Sequence, residues 1–151
     1  MDYGFSFLSF TEIADDVAYA EKKGFTHAWL YDSQMICGDP YQCLALCGDK
    51  TKKIKLGTNV TNPKSRIAPV TANSFATLNV IAPGRIIMGI GTGNTARRAM
   101  GMPAAKLNEV KEHIKICKGL FEGERVQYQE GERGRMIQFL NPDSGLSLIH
   151  I

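Results

Sequence analysis

The 151-residue chain lacks most of the features that mark a function class at sight. It has no apolar run approaching the ~20 residues of a membrane span, so no spanning helix is expected. Its start, MDYGFSFLSF, has neither a basic region nor a small-residue cleavage site. No secretory signal is read there, and the cytoplasm is the expected location. Charge of one sign is also missing. The net charge is only +3, and KTKK (Lys50 to Lys53) is the one tight basic cluster. That cluster reads as the solvated lead-in to a strand, and no nucleic-acid partner is expected. The four cysteines, Cys37, Cys43, Cys47 and Cys117, are too dispersed for a zinc site, and no histidine lies near them. They are expected to be free, with Cys43 and Cys47 on one helix face as buried thiols and no metal bound. Low-complexity segments and linkers are absent too, so no domain boundary is drawn.

What is present is an alternation. GFSFLSF (Gly4 to Phe10) is a short β-type run. TEIADDVAYAEKKG follows with Ile13, Val17 and Ala20 at helical spacing and Gly24 as its stop. Ser9 and Glu12 have capping-box spacing, with Thr11 as a rival N-cap. FTHAWLYD, KIKLGTNV and RIIMGIG read as further strands. The segments DPYQCLALCGDKT and APVTANSFATLNVIAPG read as the helices between them. The repeat is roughly 30 residues, the length of a βα unit, and it implies a parallel sheet. A last helix is predicted over about Pro103 to Glu122, with Leu107, Val110, Ile114, Cys117 and Phe121 as its apolar stripe. The remainder, VQY and MIQF around a polar glycine-rich turn, reads as a hairpin.

GRIIMGIGTGN (Gly84 to Asn94) sets the central question, because Gly89, Gly91 and Gly93 alternate through it. A dinucleotide-binding fingerprint needs G-x-G-x-x-G after the first strand, and these glycines read G-x-G-x-G after the fourth. Alternate glycines also suit a strand that keeps one face small against a ligand or a crowded interior. Polar residues recur where the strands should end: Ser9; Asp32 and Ser33; Asn59, Thr61 and Asn62; Thr92 and Asn94. In a barrel such ends converge on one mouth, whereas in an open sheet they spread along an edge. The pattern favours the barrel and leaves the open sheet as its rival.

The stretches AEKKGFTHAWLYDSQ, LGTNVTNP, APGRIIMGIGTGN, AMGMP and LFEGERVQY resemble the bacterial-luciferase-like superfamily. The resemblance is strongest to the branch typified by methylenetetrahydromethanopterin reductase, and it runs to about Gln138. It implies a TIM (β/α)8 barrel of the luciferase-like type, with only its N-terminal half present: about four βα units plus a β-hairpin. It also implies an oxidoreductase, a monooxygenase or reductase using reduced FMN or coenzyme F420 on a small organic substrate. Such an enzyme would be a homo-oligomer at full length, without a membrane partner. Asn59 and Val60 match a non-proline cis peptide that forms the wall behind the flavin ring. Gly91, Thr92, Gly93 and Asn94 match strand-four residues that line the cofactor pocket. Asp32 stands where several F420 members carry the aspartate of an Asp-His pair, and Ser33 replaces the histidine. Asp32 and Ser33 are therefore the candidate catalytic residues, with helix capping as their alternative role. Serine is a poor proton acceptor near pH 7, which keeps a non-catalytic flavin-binding relative in view. Trp29 and the methionines Met88, Met100 and Met102 are read as packing, and His27 and His113 as surface or structural.

LSLIHI (Leu146 to Ile151) equals the translation of part of a common transposase adapter. The expected division is therefore residues 1–145 as half of a barrel domain and 146–151 as an adapter-derived scar.

Overall fold

A computed structural model of the chain describes residues 1–141, so LSLIHI lies outside the described residues. Strands β1 (Gly4–Phe7), β2 (His27–Leu30), β3 (Lys55–Thr58) and β4 (Ile86–Ile87) form one parallel sheet, each beside its predecessor. Helices α1 (Ile13–Lys22), α2 (Pro40–Lys50) and α3 (Ala68–Ile81) connect them. The short α4 (Asn94–Ala99) and the longer α5 (Leu107–Phe121) follow, then an antiparallel hairpin of β5 (Val126–Glu130) and β6 (Arg133–Ile137). A doubly wound sheet reverses its strand order at a switch point. The order β1-β2-β3-β4 has no reversal, as a barrel wall requires. No helix among the described residues is long and apolar enough to cross a membrane.

Strand alternation sorts the side chains. Ala28, Leu30, Leu56 and Ile86 turn toward the helices and are buried with Leu44, Phe75, Leu120 and Phe121. Tyr41, Phe75 and Phe121 run through this core edge to face, with ring centroids 5.5 and 6.5 Å apart. Cys43, Cys47 and Cys117 are buried, and burial pushes the Cys47 and Cys117 thiols up to about 12. On the other sheet face Trp29 lies half-buried across Gly57, where a β-carbon would come within 2.6 Å of the indole.

Several local expectations are corrected. Ser9 caps nothing: its hydroxyl donates to the Tyr31 carbonyl at 2.7 Å. Glu12 is the N-cap residue of α1 and makes no side-chain cap, so Thr11 is not the cap either. The buried face of α5 is His113, Ile116, Cys117, Leu120 and Phe121, while Leu107 and Ile114 point outward. Cys117 and Phe121 of the expected stripe are on the buried face and Val110 is half-buried; Leu107 and Ile114 miss it, because polar His113 occupies a core position. Its burial holds the imidazole down to about 4. Helix α4 escaped the sequence reading because it is only six residues long.

At the N-terminal end of the sheet two charged side chains clasp the chain. The Glu21 carboxylate accepts from the backbone N–H groups of Lys52, Lys53 and Ile54 at 2.7–3.1 Å. Desolvation pushes this carboxyl up, but the three N–H groups, with Arg85 nearby, outweigh it and hold the group below its ordinary range. Arg85 donates to the carbonyls of Gly48, Thr51 and Ile54 and to the Thr51 hydroxyl. It thus satisfies carbonyls left open at the end of α2.

Candidate functional site

Beyond the C-terminal ends of the strands lies an open cleft of about 600 Å³. Asp32, Ser33, Asn59, Val60, Gly91, Thr92, Gly93 and Asn94 all line it. Parallel pairing is the reason. In register, residues that follow β2, β3 and β4 must emerge on one rim, however far apart they are in sequence.

The alternate glycines have three separate steric reasons. A β-carbon on Gly89 would sit 2.0 Å from the Thr58 carbonyl oxygen. The Gly89 carbonyl in turn accepts from the Thr58 hydroxyl and the Thr61 N–H. A β-carbon on Gly91 would come within 2.9 Å of a Val60 methyl. Gly93 has a φ of +69° at the N-cap of α4, and a β-carbon there would lie 2.5 Å from Asn62. The β3–β4 pairing therefore resumes past the regular ladder, through Thr61 and Ile90. Gly91 and Gly93 offer only backbone to the cleft. The Asn59–Val60 peptide is cis, Val60 is about a third exposed, and the Asn59 amide donates to the Ser6 hydroxyl at 2.9 Å.

Asp32 is the buried charge of the site, only 2% exposed. The N-cap of α2 is Asp39, which accepts from Tyr41 and Gln42 N–H, so Asp32 does not cap it. Its Oδ1 accepts from the Gln34 amide at 2.5 Å, and its Oδ2 has no partner. An unpaired buried carboxylate oxygen is costly unless something else supplies a donor. Asn94 is the first residue of α4 and not its cap, because Gly93 takes that place.

Not every polar strand-end residue faces the cleft. Thr61 hydrogen-bonds the Tyr41 hydroxyl at 2.9 Å in the core, and burial pushes that phenol upward. Asn62 is fully buried in a loop network. Leu8, Tyr31, Ile36, Thr95 and Ala96 also line the cleft. Leu8, Ile36 and Ala96 carry no polar mark in the sequence, and Tyr31 and Thr95 stand beside marked positions without being singled out.

The family model described as luciferase-like monooxygenase matches residues 4–143. The 5,10-methylenetetrahydromethanopterin reductase of Methanolobus tindarius is 38% identical over 144 residues, covering 92% of this chain and 43% of that protein. Among solved structures, the coenzyme F420-dependent tetrahydromethanopterin reductase of Methanopyrus kandleri superposes with a TM-score of 0.75 at 28% identity, covering 85% of this chain and 42% of its own. The oxygenating constituent of 3,6-diketocamphane monooxygenase from Pseudomonas putida, in complex with FMN, shares the fold with a TM-score of 0.75 at 18% identity, covering 99% and 47%. The chain thus spans less than half the length of these proteins.

Proposed function

This chain belongs to the luciferase-like monooxygenase family, and from that membership we propose that its cleft holds the ring of coenzyme F420 or FMN in an oxidoreductase. The observation that carries the reading is Asp32, a nearly buried carboxyl with one oxygen lacking a donor, lining a cleft where Gly91 and Gly93 present only backbone. A flat ring fits such a place. Val60 and the Asn59–Val60 backbone form its wall, and Gly91 leaves room beside Val60 where a β-carbon would intrude. Bound there, either cofactor supplies a ring able to accept or give electrons in pairs. The protein's part is to exclude water with Leu8, Ile36 and Val60, to orient the ring, and to offer the Asp32 carboxyl to an N–H or O–H donor of the ligand.

Coenzyme F420 is the favoured cofactor because the relative at 38% identity is a 5,10-methylenetetrahydromethanopterin reductase, and the solved reductase at 28% identity is F420-dependent. Hydride transfer to a small organic substrate in the cytoplasm is the corresponding activity, carried out by a homo-oligomer. FMN-dependent oxygen insertion is the alternative within the same fold. Titrating the full-length gene product with F420 and with FMN, followed by fluorescence, tests this. Micromolar or tighter binding of one cofactor is expected, weakened by Asp32→Asn or Gly91→Ala. Binding of neither would refute the proposal.

Ser33 supports a second reading, a flavin-binding relative without catalysis. It lines the cleft beside Asp32 where a histidine would give a proton acceptor near pH 7. Cofactor binding combined with no reduction of 5,10-methylenetetrahydromethanopterin or of a wider substrate panel would favour it.

A further inference from the structure

Asp32 does not stand alone at the mouth. A line of side-chain hydrogen bonds runs to it from the loop after β3. The Asn62 amide donates to the Ser65 hydroxyl at 2.9 Å, Ser65 Oγ lies 3.1 Å from Gln34 Oε1, and Gln34 Nε2 lies 2.5 Å from Asp32 Oδ1. Asn62 is itself held, its Oδ1 accepting from the backbone N–H groups of Lys64 and Ser65. Its side chain lies under Gly93, where a β-carbon would displace it. The line therefore ties together the ends of three neighbouring strands.

Hydrogen-bond chemistry fixes its direction. A carboxylate can only accept, so Gln34 must turn its NH2 toward Asp32 and its carbonyl toward Ser65. Ser65 has one proton. Given to Gln34, that proton is not available to Asn62 Oδ1, which lies at a similar 3.1 Å. Every donor in the line then points toward Asp32. One carboxylate oxygen is consumed by Gln34 and the plane of the group is set, while Oδ2 stays buried without a partner.

We infer that Gln34 is the positioning residue of the cleft: it fixes the Asp32 carboxyl in the cleft wall, and Ser65 and Asn62 fix Gln34. The inference rests on the reading of Asp32 as a ligand-facing acceptor and adds the residue that aims it.

A double-mutant cycle on the full-length gene product tests it. The probes are F420 and FMN, titrated by fluorescence, and the oxidation of reduced F420 by 5,10-methylenetetrahydromethanopterin, followed by the absorbance of the F420 formed. Asp32→Asn is expected to lower cofactor affinity or rate by about tenfold. Gln34→Leu should lower the same quantity by about fivefold to tenfold, and Ser65→Ala less, with unchanged circular dichroism. The Asp32→Asn, Gln34→Leu double variant should be no worse than Asp32→Asn alone, because residues acting as one unit are not additive. Gln34→Glu gives a readout that bulk destabilisation would not. Its ionised form cannot donate and should match Gln34→Leu at neutral pH. Its protonated form can donate, so it should outperform Gln34→Leu as pH falls. A wild-type Gln34→Leu, or losses that multiply in the double variant, would overturn the inference. An Asp32→Asn variant indistinguishable from the parent, or a parent that binds neither cofactor, would instead bring down the reading beneath it, and the inference with it.

Discussion

Adding one methyl group at Gly89 or at Gly91 should have opposite consequences, although the two positions are two residues apart on the same chain segment. At Gly89 the new carbon would lie 2.0 Å from the Thr58 carbonyl oxygen, which is backbone inside the β3–β4 junction. Carbon–oxygen contacts settle at about 3.3 Å or beyond, so the overlap exceeds ~1 Å and only a shift of the main chain relieves it. That shift pulls on the two bonds accepted by the Gly89 carbonyl, from the Thr58 hydroxyl and the Thr61 N–H. Overpacking of this kind costs ~1–3 kcal/mol, and each lost hydrogen bond adds ~1 kcal/mol, giving about 3–5 kcal/mol for Gly89→Ala. At Gly91 the new carbon meets only a Val60 methyl at 2.9 Å, and the methyl can rotate away. Gly91→Ala should cost about 1 kcal/mol or less in stability. Its methyl nevertheless enters the cleft, so cofactor affinity should fall by about tenfold, roughly 1.4 kcal/mol. Urea unfolding and cofactor titration of both variants of the full-length gene product measure the two effects. Equal stability losses at the two positions, or a Gly89→Ala protein within ~1 kcal/mol of the parent, would refute the steric assignment.

Three further outcomes are expected. His113 is buried neutral with its folded value near 4, below the ordinary 6.5, so an unfolded chain takes up a proton that the folded one refuses. Its contribution is full above pH 6.5 and falls away toward pH 4, by about 3 kcal/mol; His113→Leu should flatten urea midpoints over that window, and an unchanged slope would contradict the assignment. Glu21 is held below its ordinary value of 4.5, so its share of stability is present above that pH and is lost as pH drops through the folded value. Glu21→Gln should therefore lessen acid sensitivity below about pH 4.5 while lowering stability at neutral pH, read by the same titration. The 151-residue chain by itself should bind neither FMN nor F420 at micromolar concentration in a fluorescence titration, because its four βα units contribute one wall and rim of a pocket that an eight-unit barrel closes.

The architecture was legible because it rests on periodicity. Strands and helices recurring every thirty residues or so permit little besides a parallel sheet, and the four strands stand in sequence order. Of the eight cleft residues, the polar ones were legible for a related reason, since groups just past each strand must share a rim, whereas Val60, Gly91 and Gly93 were picked out by the motif resemblance. What escaped depends on local competition. Ser9 had the spacing of a cap, but a neighbouring carbonyl, that of Tyr31, took its hydroxyl. The α5 stripe was only half right, with Cys117 and Phe121 buried and Leu107 and Ile114 exposed, because a buried histidine looks polar in sequence. Gln34 closes the stretch AEKKGFTHAWLYDSQ, yet its role depends on Ser65, which is 31 residues away and becomes its neighbour only after folding.

Glu21 and Arg85 make their bonds where the strands begin, whereas the cleft opens where the strands finish. The length of the sheet separates the two. Evolution can therefore rewrite the rim, exchanging Ser33 for histidine or lengthening the segment between Asn62 and Ile67, while the clasp keeps α1, α2 and the entries to β3 and β4 in register. Random libraries confined to the rim should consequently yield many folded members with altered ligand preference. Libraries of equal size placed around Glu21 and Arg85 should yield few folded members, and those few should retain the parental preference.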